Sequence, residues 1–190
     1  MTTAYFIADT HFGHAKIIDF CNRPFANVEE MDNSLIQNWN AVVRPGDDIY
    51  ILGDFAFLKA DQVHDIVTRL NGRKHLIRGN HDRFIKHYDK YTDDFVWIKD
   101  YAEVAINERK FILFHYPITE WAGYYRNAIH CYGHVHNGAV AQGSVEQLEK
   151  APKQHYKLPG RAVNVGVDVT GFRPVSVYEV IRLADQAVQS

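Results

Sequence analysis

The sequence predicts an α/β fold, and three observations support this prediction. Short apolar runs with the length and the β-branched or aromatic content of buried strands alternate with amphipathic stretches of helical spacing. The chain has 190 residues, of which 46% are apolar and 23% charged, so it is long enough to bury one substantial core. A polar side chain able to bind a metal follows several of the runs directly. We therefore expect one domain over residues 1–190.

Seven apolar runs are predicted as strands. They are AYFIA (4–8), DIYIL (48–52), KHLIR (74–78), KFILF (110–114), AIHCY (128–132), RAVNVG (161–166) and PVSVYEV (174–180). The last run is expected to bend into a terminal helix.

Two helices and one long connection are predicted between these runs. Apolar residues recur at helical spacing after Asn27, which is a good N-cap with Glu30 three positions later. A second helical pattern begins at Val63 and ends at Asn71-Gly72, a typical C-cap. The polar segment 137–160 is expected to be a surface excursion, either a loop or a lid over the substrate.

Charge and cysteine content favour a cytoplasmic protein with no strong nucleic-acid signature. The formal net charge is −2, which excludes a generally basic nucleic-acid coat. Cys21 and Cys131 are too few for a disulfide framework and fit a reducing compartment. No apolar run approaches the roughly 18 residues that a bilayer span requires, so no membrane association is expected.

Acidic, amide or imidazole side chains follow five of the predicted strands. The segments are Asp9-Thr10-His11, Gly53-Asp54, Gly79-Asn80-His81-Asp82, His115-Tyr116-Pro117 and Gly133-His134-Val135-His136. Because the carboxyl ends of strands in open α/β sheets converge on one crevice, these side chains are expected to meet there. Glycines before Asp54, Asn80 and His134 allow sharp turns toward the site.

The donor set favours a dinuclear metal centre. Imidazole, carboxylate and amide groups without thiolate suit Mn, Fe, Zn, Co or Ni. A structural zinc site needs four ligands, and the metal-binding side chains here outnumber that. Their number indicates two divalent ions sharing a bridging carboxylate.

The sequence resembles the calcineurin-like metallophosphoesterase family. The ordered family signature DxH, GD, GNHD, H and GHxH is present as DTH, GDF, GNHD, HYP and GHVH. The resemblance implies a four-layer α/β/β/α sandwich of two mixed sheets flanked by helices. It also implies His81 as the catalytic imidazole and divides the ligands: Asp9, His11 and His136 for one metal, Asn80, His115 and His134 for the other, and Asp54 for both.

Phosphoester hydrolysis follows from such a centre. Two divalent ions, with Mn favoured and Ni, Co, Fe or Zn as alternatives, attract phosphate, and a bridging hydroxide attacks phosphorus in line. His81 is expected to protonate the leaving oxygen or to hold a phosphate oxygen. Asp82 is a candidate for orienting His81, with a helix N-cap as the alternative.

The substrate is expected to be a phosphodiester or a nucleotide-type small molecule. The protein phosphatases of the family extend GD into GDxxDR, whereas this chain has apolar Phe57 at the position of that acid. His14, Arg23 and Arg78 are candidates for binding the phosphate, with local caps or surface bonds as alternatives. The aromatic residues Trp121, Tyr124 and Tyr125 could stack on a base or belong to the core.

Three other functions remain open at this stage. The chain could be a phosphomonoesterase or a small nuclease of the same family. It could also be an interaction scaffold without activity, although every predicted ligand position holds a competent residue.

Overall fold

A computed structural model describes residues 2–91, 93–136, 158 and 160–189. Within that range there are nine strands, namely β1 (Ala4–Ile7), β2 (Asp48–Leu52), β3 (Arg73–Ile77), β4 (Trp97–Lys99), β5 (Tyr101–Ile106), β6 (Arg109–Phe114), β7 (Ile129–Tyr132), β8 (Ala162–Asn164) and β9 (Val175–Ser176). The described α-helices are α1 (Lys16–Cys21), α2 (Val28–Val42), α3 (Ala60–Val67), α4 (Val167–Thr170) and α5 (Val177–Gln189). Two short 3-10 helices cover Arg83–His87 and Tyr124–Arg126.

The strands form two mixed sheets. The first has the order β4-β3-β2-β1-β9, with β1 to β4 parallel and β9 antiparallel to β1. The second has the order β5-β6-β7-β8, in which only the β5–β6 pair is antiparallel. The carboxyl ends of parallel strands lie at one edge of a sheet. The predicted ligands come directly after these strand ends.

Alternating side chains give each sheet two apolar faces. In the first sheet, Ile51 packs with Met31 and Trp39 of α2, while Leu52 faces the second sheet. Phe111 of β6 joins the core between the sheets, and its neighbour Ile112 packs on the other face. The sheets therefore lie face to face, with helices packed outside them.

The structure confirms the predicted fold class of two mixed sheets flanked by helices. All seven predicted strands are present, and the last one turns into α5 as expected. Asn27 caps α2, accepting a hydrogen bond from the Glu30 N–H at 2.9 Å. The expected excursion over 137–160 lies outside the described residues except for positions 158 and 160.

Strands β4 and β5 and helix α1 have no counterpart among the predicted elements. Strand β5 alternates exposed and more buried residues and pairs with one neighbour, so it has no continuous apolar run to mark it. Helix α1 has only six residues, which is too short for a helical repeat. Among the described helices, none combines the length and the apolar character needed to cross a membrane.

Candidate metal centre

Five turns at the carboxyl ends of β1, β2, β3, β6 and β7 form one site. Backbone hydrogen bonds hold adjacent turns together, with the Asp9 N–H donating to Gly53 O at 3.0 Å. The His11 N–H donates to Asp54 O at 3.0 Å, and the Gly133 N–H donates to His115 O at 3.0 Å. These backbone bonds join the β1 turn to the β2 turn and the β6 turn to the β7 turn.

The predicted ligands gather in two groups. Ligand atoms of Asp9, His11 and His136 lie within 4.8 Å of one another, as do those of Asp54, His115 and His134. Asn80 belongs with the second group, because its Oδ1 lies 3.1 Å from His115 Nε2. All seven side chains are thus brought together.

Asp54 lies between the two groups. Its Oδ2 is 3.6 Å from His11 Nε2 and 3.4 Å from His115 Nε2. Its Oδ1 accepts a hydrogen bond from the His81 N–H at 2.8 Å, which orients the carboxylate. One carboxylate oxygen therefore faces imidazoles from both groups.

The donor atoms fit divalent metal ions. Both ring nitrogens of His11 are buried and have no hydrogen-bond partner, which is costly unless they bind a ligand. The group contains imidazole, carboxylate and amide donors without thiolate, the set that suits Mn, Fe, Zn, Co and Ni.

Hydrogen bonds fix the rings of two of these histidines from behind. His115 Nδ1 lies 2.7 Å from Leu52 O, so its Nε2 points toward Asp54. His136 Nδ1 lies 2.6 Å from Asp168 Oδ2, which leaves Nε2 free to bind a ligand. A second partner on the far nitrogen is typical of metal-bound histidine.

Burial and neighbouring charges shift the pKa values of the side chains in the site. Burial raises the pKa of Asp9 and holds the pKa of His11 well below its usual range. For His115, burial acts to lower the pKa, but the hydrogen bond and the charge of Asp54 raise it overall. Burial likewise opposes ionisation of Asp54, yet the contacts with His115 and His11 lower its pKa. The protein thus favours an ionised Asp54 beside its imidazoles.

Five of the seven predicted ligands have left-handed backbone conformations. These are Asp9, His11, Asp54, His134 and His136, with φ between 47° and 70°. Ten non-glycine residues of the described chain have positive φ, so half of them lie in this one site. Backbone strain of this kind concentrates at functional sites.

Two of the glycines have identifiable roles. Gly53 has φ of 84°, and a Cβ there would lie 2.5 Å from His115 Nδ1. Gly133 has no positive φ, but its Cβ would lie 2.5 Å from Asp9 Oδ2. The first glycine therefore serves a turn and a close contact, and the second serves close approach alone.

The two predicted catalytic residues occupy different environments. The His81 ring lies at the site, with its centroid 5.6 Å from that of His11, and its Nδ1 is buried without a partner. Asp82 is buried and accepts backbone hydrogen bonds from Asp54, Phe55 and Gly79 at 2.7 to 3.0 Å. Its carboxylate therefore ties the β2 and β3 turns together, and burial raises its pKa to about 6. No described contact joins it to the His81 ring, nor does it cap the following 3-10 helix through its side chain.

The three predicted phosphate-binding residues are placed differently from one another. His14 lies beside the site, 5.3 Å from the His11 ring. Arg23 is buried and donates to Asp168 and to the carbonyl oxygens of Asp9 and Thr10. Arg78 is exposed and lies 3.5 Å from Asp100. The guanidinium of Arg23 is thus committed to the protein and supports the β1 turn from behind.

Of the predicted stacking aromatics, Trp121 belongs to the core. It is buried with Ile112 and donates its Nε1–H to Ala128 O at 3.1 Å. Tyr125 is 84% exposed, and no described contact links it to the metal-binding side chains.

Asp168 is a site residue that the sequence reasoning missed. It accepts from both Arg23 and His136 and is almost fully buried. A signal was available, because Asp168 stands two positions after Gly166, the glycine that ends the strand-like run RAVNVG. The predicted ligand turns end at His136 and do not include the turn after RAVNVG.

Comparisons with known proteins agree with this architecture. Residues 3–167 match the calcineurin-like phosphoesterase superfamily domain. The uncharacterized protein MJ1445 of Methanocaldococcus jannaschii is 36% identical over 188 residues, covering 98% of this chain and 93% of that protein. The Gene 66 protein of Mycobacterium phage L5 is 36% identical over 85 residues, which is 43% of this chain and 41% of the phage protein.

A solved structure resembles the whole chain. The protein AQ665 from Aquifex aeolicus has a TM-score of 0.69 and 26% identity, and the match covers 96% of this chain and all of that one. Together with the domain match over residues 3–167, these findings identify the chain as a member of the calcineurin-like phosphoesterase superfamily, which implies phosphoester hydrolysis with divalent metal ions.

Proposed function

We propose that the protein is a dinuclear metal-dependent phosphodiesterase acting on small phosphodiesters or nucleotide-type substrates. The observation that carries this proposal is the position of Asp54 Oδ2, within 3.6 Å of a nitrogen from each ligand group. A single carboxylate facing two sets of imidazoles is the arrangement expected for a bridging ligand.

Asp9, His11 and His136 would hold one ion, and Asn80, His115 and His134 the other, with Asp54 shared. When bound, the two ions, with Mn favoured, would supply positive charge for the phosphate and acidify water at neutral pH. Asp168 and Leu52 O would keep the metal-binding nitrogens of His136 and His115 in position.

His81 would act on the leaving group. Its ring stands beside His11 at the rim of the ligand cluster, and its backbone N–H is fixed by Asp54. From there the imidazole can donate a proton to the departing oxygen or hold a phosphate oxygen. Asp82 would contribute as a positioning residue, because it fixes the turn that carries Asn80 and His81.

The preference for diesters rests on the arginines near the site. A monoester carries an additional negative charge, which enzymes often meet with a bidentate arginine. Arg23 already donates to Asp168 and two carbonyl oxygens, and Arg78 lies exposed beside Asp100. With the Arg23 guanidinium committed to the protein, two ions and His81 would suit the single charge of a diester better. A cytoplasmic location stays a prediction from the two free cysteines.

The proposal is tested by comparing the diester and the monoester of one aryl alcohol on a single Mn-loaded preparation. We expect a higher kcat/KM for the diester, and the same order with Ni. A clear monoester preference would instead assign the protein as a phosphatase. Cleavage of short oligonucleotides at a higher kcat/KM than the aryl diester would favour the nuclease alternative.

A further inference from the structure

Two exposed phenylalanines lie beside the ligand cluster, next to His14. The sequence contains 11 phenylalanines, and Phe20 and Phe57 are the two that the structure leaves exposed, at 46% and 45%. Both rings lie against His14, with ring centroids 6.4 Å and 4.5 Å away. We refer to Phe20, Phe57 and His14 as the aromatic shelf.

The backbone builds the shelf from two neighbouring turns. Phe12 and Ala56 form a parallel bridge, and the Phe57 N–H donates to Phe12 O at 2.8 Å. This pairing places the residue after Ala56 beside the turn that carries His14. The Phe57 and His14 rings are stacked nearly parallel, at 19°, so His14 supports one face of the partly exposed Phe57 ring.

The shelf adjoins the group that would protonate the leaving oxygen. The His81 ring centroid is 5.8 Å from Phe57 and 6.5 Å from His14. In addition, His14 Nδ1 is buried and has no hydrogen-bond partner. A substituent leaving from phosphorus toward His81 would therefore pass next to exposed aromatic rings.

We propose that the aromatic shelf binds a planar aromatic substituent of the substrate, such as a nucleobase or an aryl group. This inference rests on the proposed function, because it takes the direction of the leaving group from the role of His81. Stacking on an aromatic ring is sequence-tolerant and adds affinity for any planar group. Phe57 stands at the position where the protein phosphatases of the family carry an acid. In this chain its ring would select for an aromatic leaving group.

The test uses phosphonates, because their C–P bond is not a phosphoester bond. Benzylphosphonate and cyclohexylmethylphosphonate have substituents of similar size, and only the first is planar. We expect the Mn-loaded wild-type protein to bind benzylphosphonate about 5-fold or more tightly than the cyclohexyl compound in calorimetric titrations. Phe57→Leu should bring this ratio close to one, while Phe57→Tyr should preserve it.

Two controls separate the shelf from the rest of the site. Methylphosphonate has no ring, so its affinity should be the same in Phe57→Leu and the wild type. Tyr178→Leu removes an aromatic ring that is 65% exposed on α5, and should leave the ratio unchanged.

The outcomes distinguish this inference from the proposed function. An unchanged ratio in Phe57→Leu would overturn the shelf, whatever the ester preference. A monoester preference with the ratio lost in Phe57→Leu would overturn the diesterase assignment and support the shelf. A wild-type ratio close to one would likewise overturn the shelf.

Discussion

Replacing Asp168 with asparagine should destabilise the protein and weaken metal binding together. The Asp168 carboxylate accepts from Arg23 Nε and Nη2 at 2.8 and 2.9 Å, and both side chains are at most 2% exposed. Asparagine keeps the shape but removes the charge, so the guanidinium is left buried without a counter-ion. Breaking a buried ion pair in this way costs about 3–5 kcal/mol, equivalent to a fall in Tm of roughly 10 °C for a chain of this length.

The effect on metal binding has a separate origin. His136 Nδ1 contacts Asp168 Oδ2 at 2.6 Å, so the variant also loses the partner that orients this ring. Loss of such a contact typically lowers metal affinity by about 10- to 100-fold. Urea unfolding of the protein, after a chelator has removed its metal ions, measures the loss of folding stability. Calorimetric titration with Mn²⁺ measures the loss of metal affinity.

Asp185 provides a matched control for Asp168. It also pairs with two arginines, Arg109 and Arg161, but is 37% exposed. Asp185→Asn should therefore cost about 1 kcal/mol or less and leave the Mn²⁺ affinity unchanged.

A double-mutant cycle tests whether charge pairing is the cause. The Arg23→Met, Asp168→Asn double variant should be more stable than the sum of the single losses predicts, because no unpaired charge remains. Additive losses, or a cost for Asp168→Asn no larger than for Asp185→Asn, would refute the reasoning.

Three further predictions concern the ligand cluster and its supporting turns. His81→Ala should keep both metal ions but slow poor leaving groups by roughly 100-fold, with a smaller loss on activated aryl esters; equal losses on both, measured as kcat, would point to a binding role. Asp54→Asn should lower the metal content and abolish activity, and two ions per chain with normal turnover would contradict the bridging role. Asp32 accepts from the Gly13 N–H, and burial raises its pKa to about 6, so its contribution to folding is fully present below about pH 4 and is lost as the pH rises through 6. In urea unfolding of the metal-free protein, the free energy of unfolding of Asp32→Asn should rise relative to that of the wild type between pH 4 and 7. The same dependence on pH in both proteins would exclude this effect.

The strands that carry the ligands could be predicted because they are continuous apolar runs. Ile51 and Leu52 face different cores, so β2 is apolar on both faces toward its end, and that end at Gly53-Asp54 is marked by composition. Strand β5 could not be found this way, because exposed and more buried residues alternate along it and leave no continuous apolar run. The convergence of the ligand turns followed from parallel pairing, which the alternation of strands and helices already indicated.

The placement of single polar side chains was harder to predict. Arg78 adjoins the GNHD turn in sequence and Arg23 is farther from any motif, yet Arg23 is buried behind Asp9 and Arg78 is exposed. Whether a guanidinium meets substrate depends on contacts with residues distant in sequence, such as Asp168, which is 145 positions from Arg23. The pairing of Phe57 with His14 likewise depends on the register of two turns, which local spacing does not encode.

The left-handed backbone at Asp9, His11, Asp54, His134 and His136 constrains how this site can change during evolution. Glycine and asparagine adopt such a conformation at low cost, whereas β-branched residues do not. Replacement of a ligand by glycine would therefore relieve the local geometry while removing the donor. Drift along this route would dismantle the metal centre one ligand at a time without unfolding the chain. The same fold could then persist in descendants that have exchanged catalysis for another use of this surface.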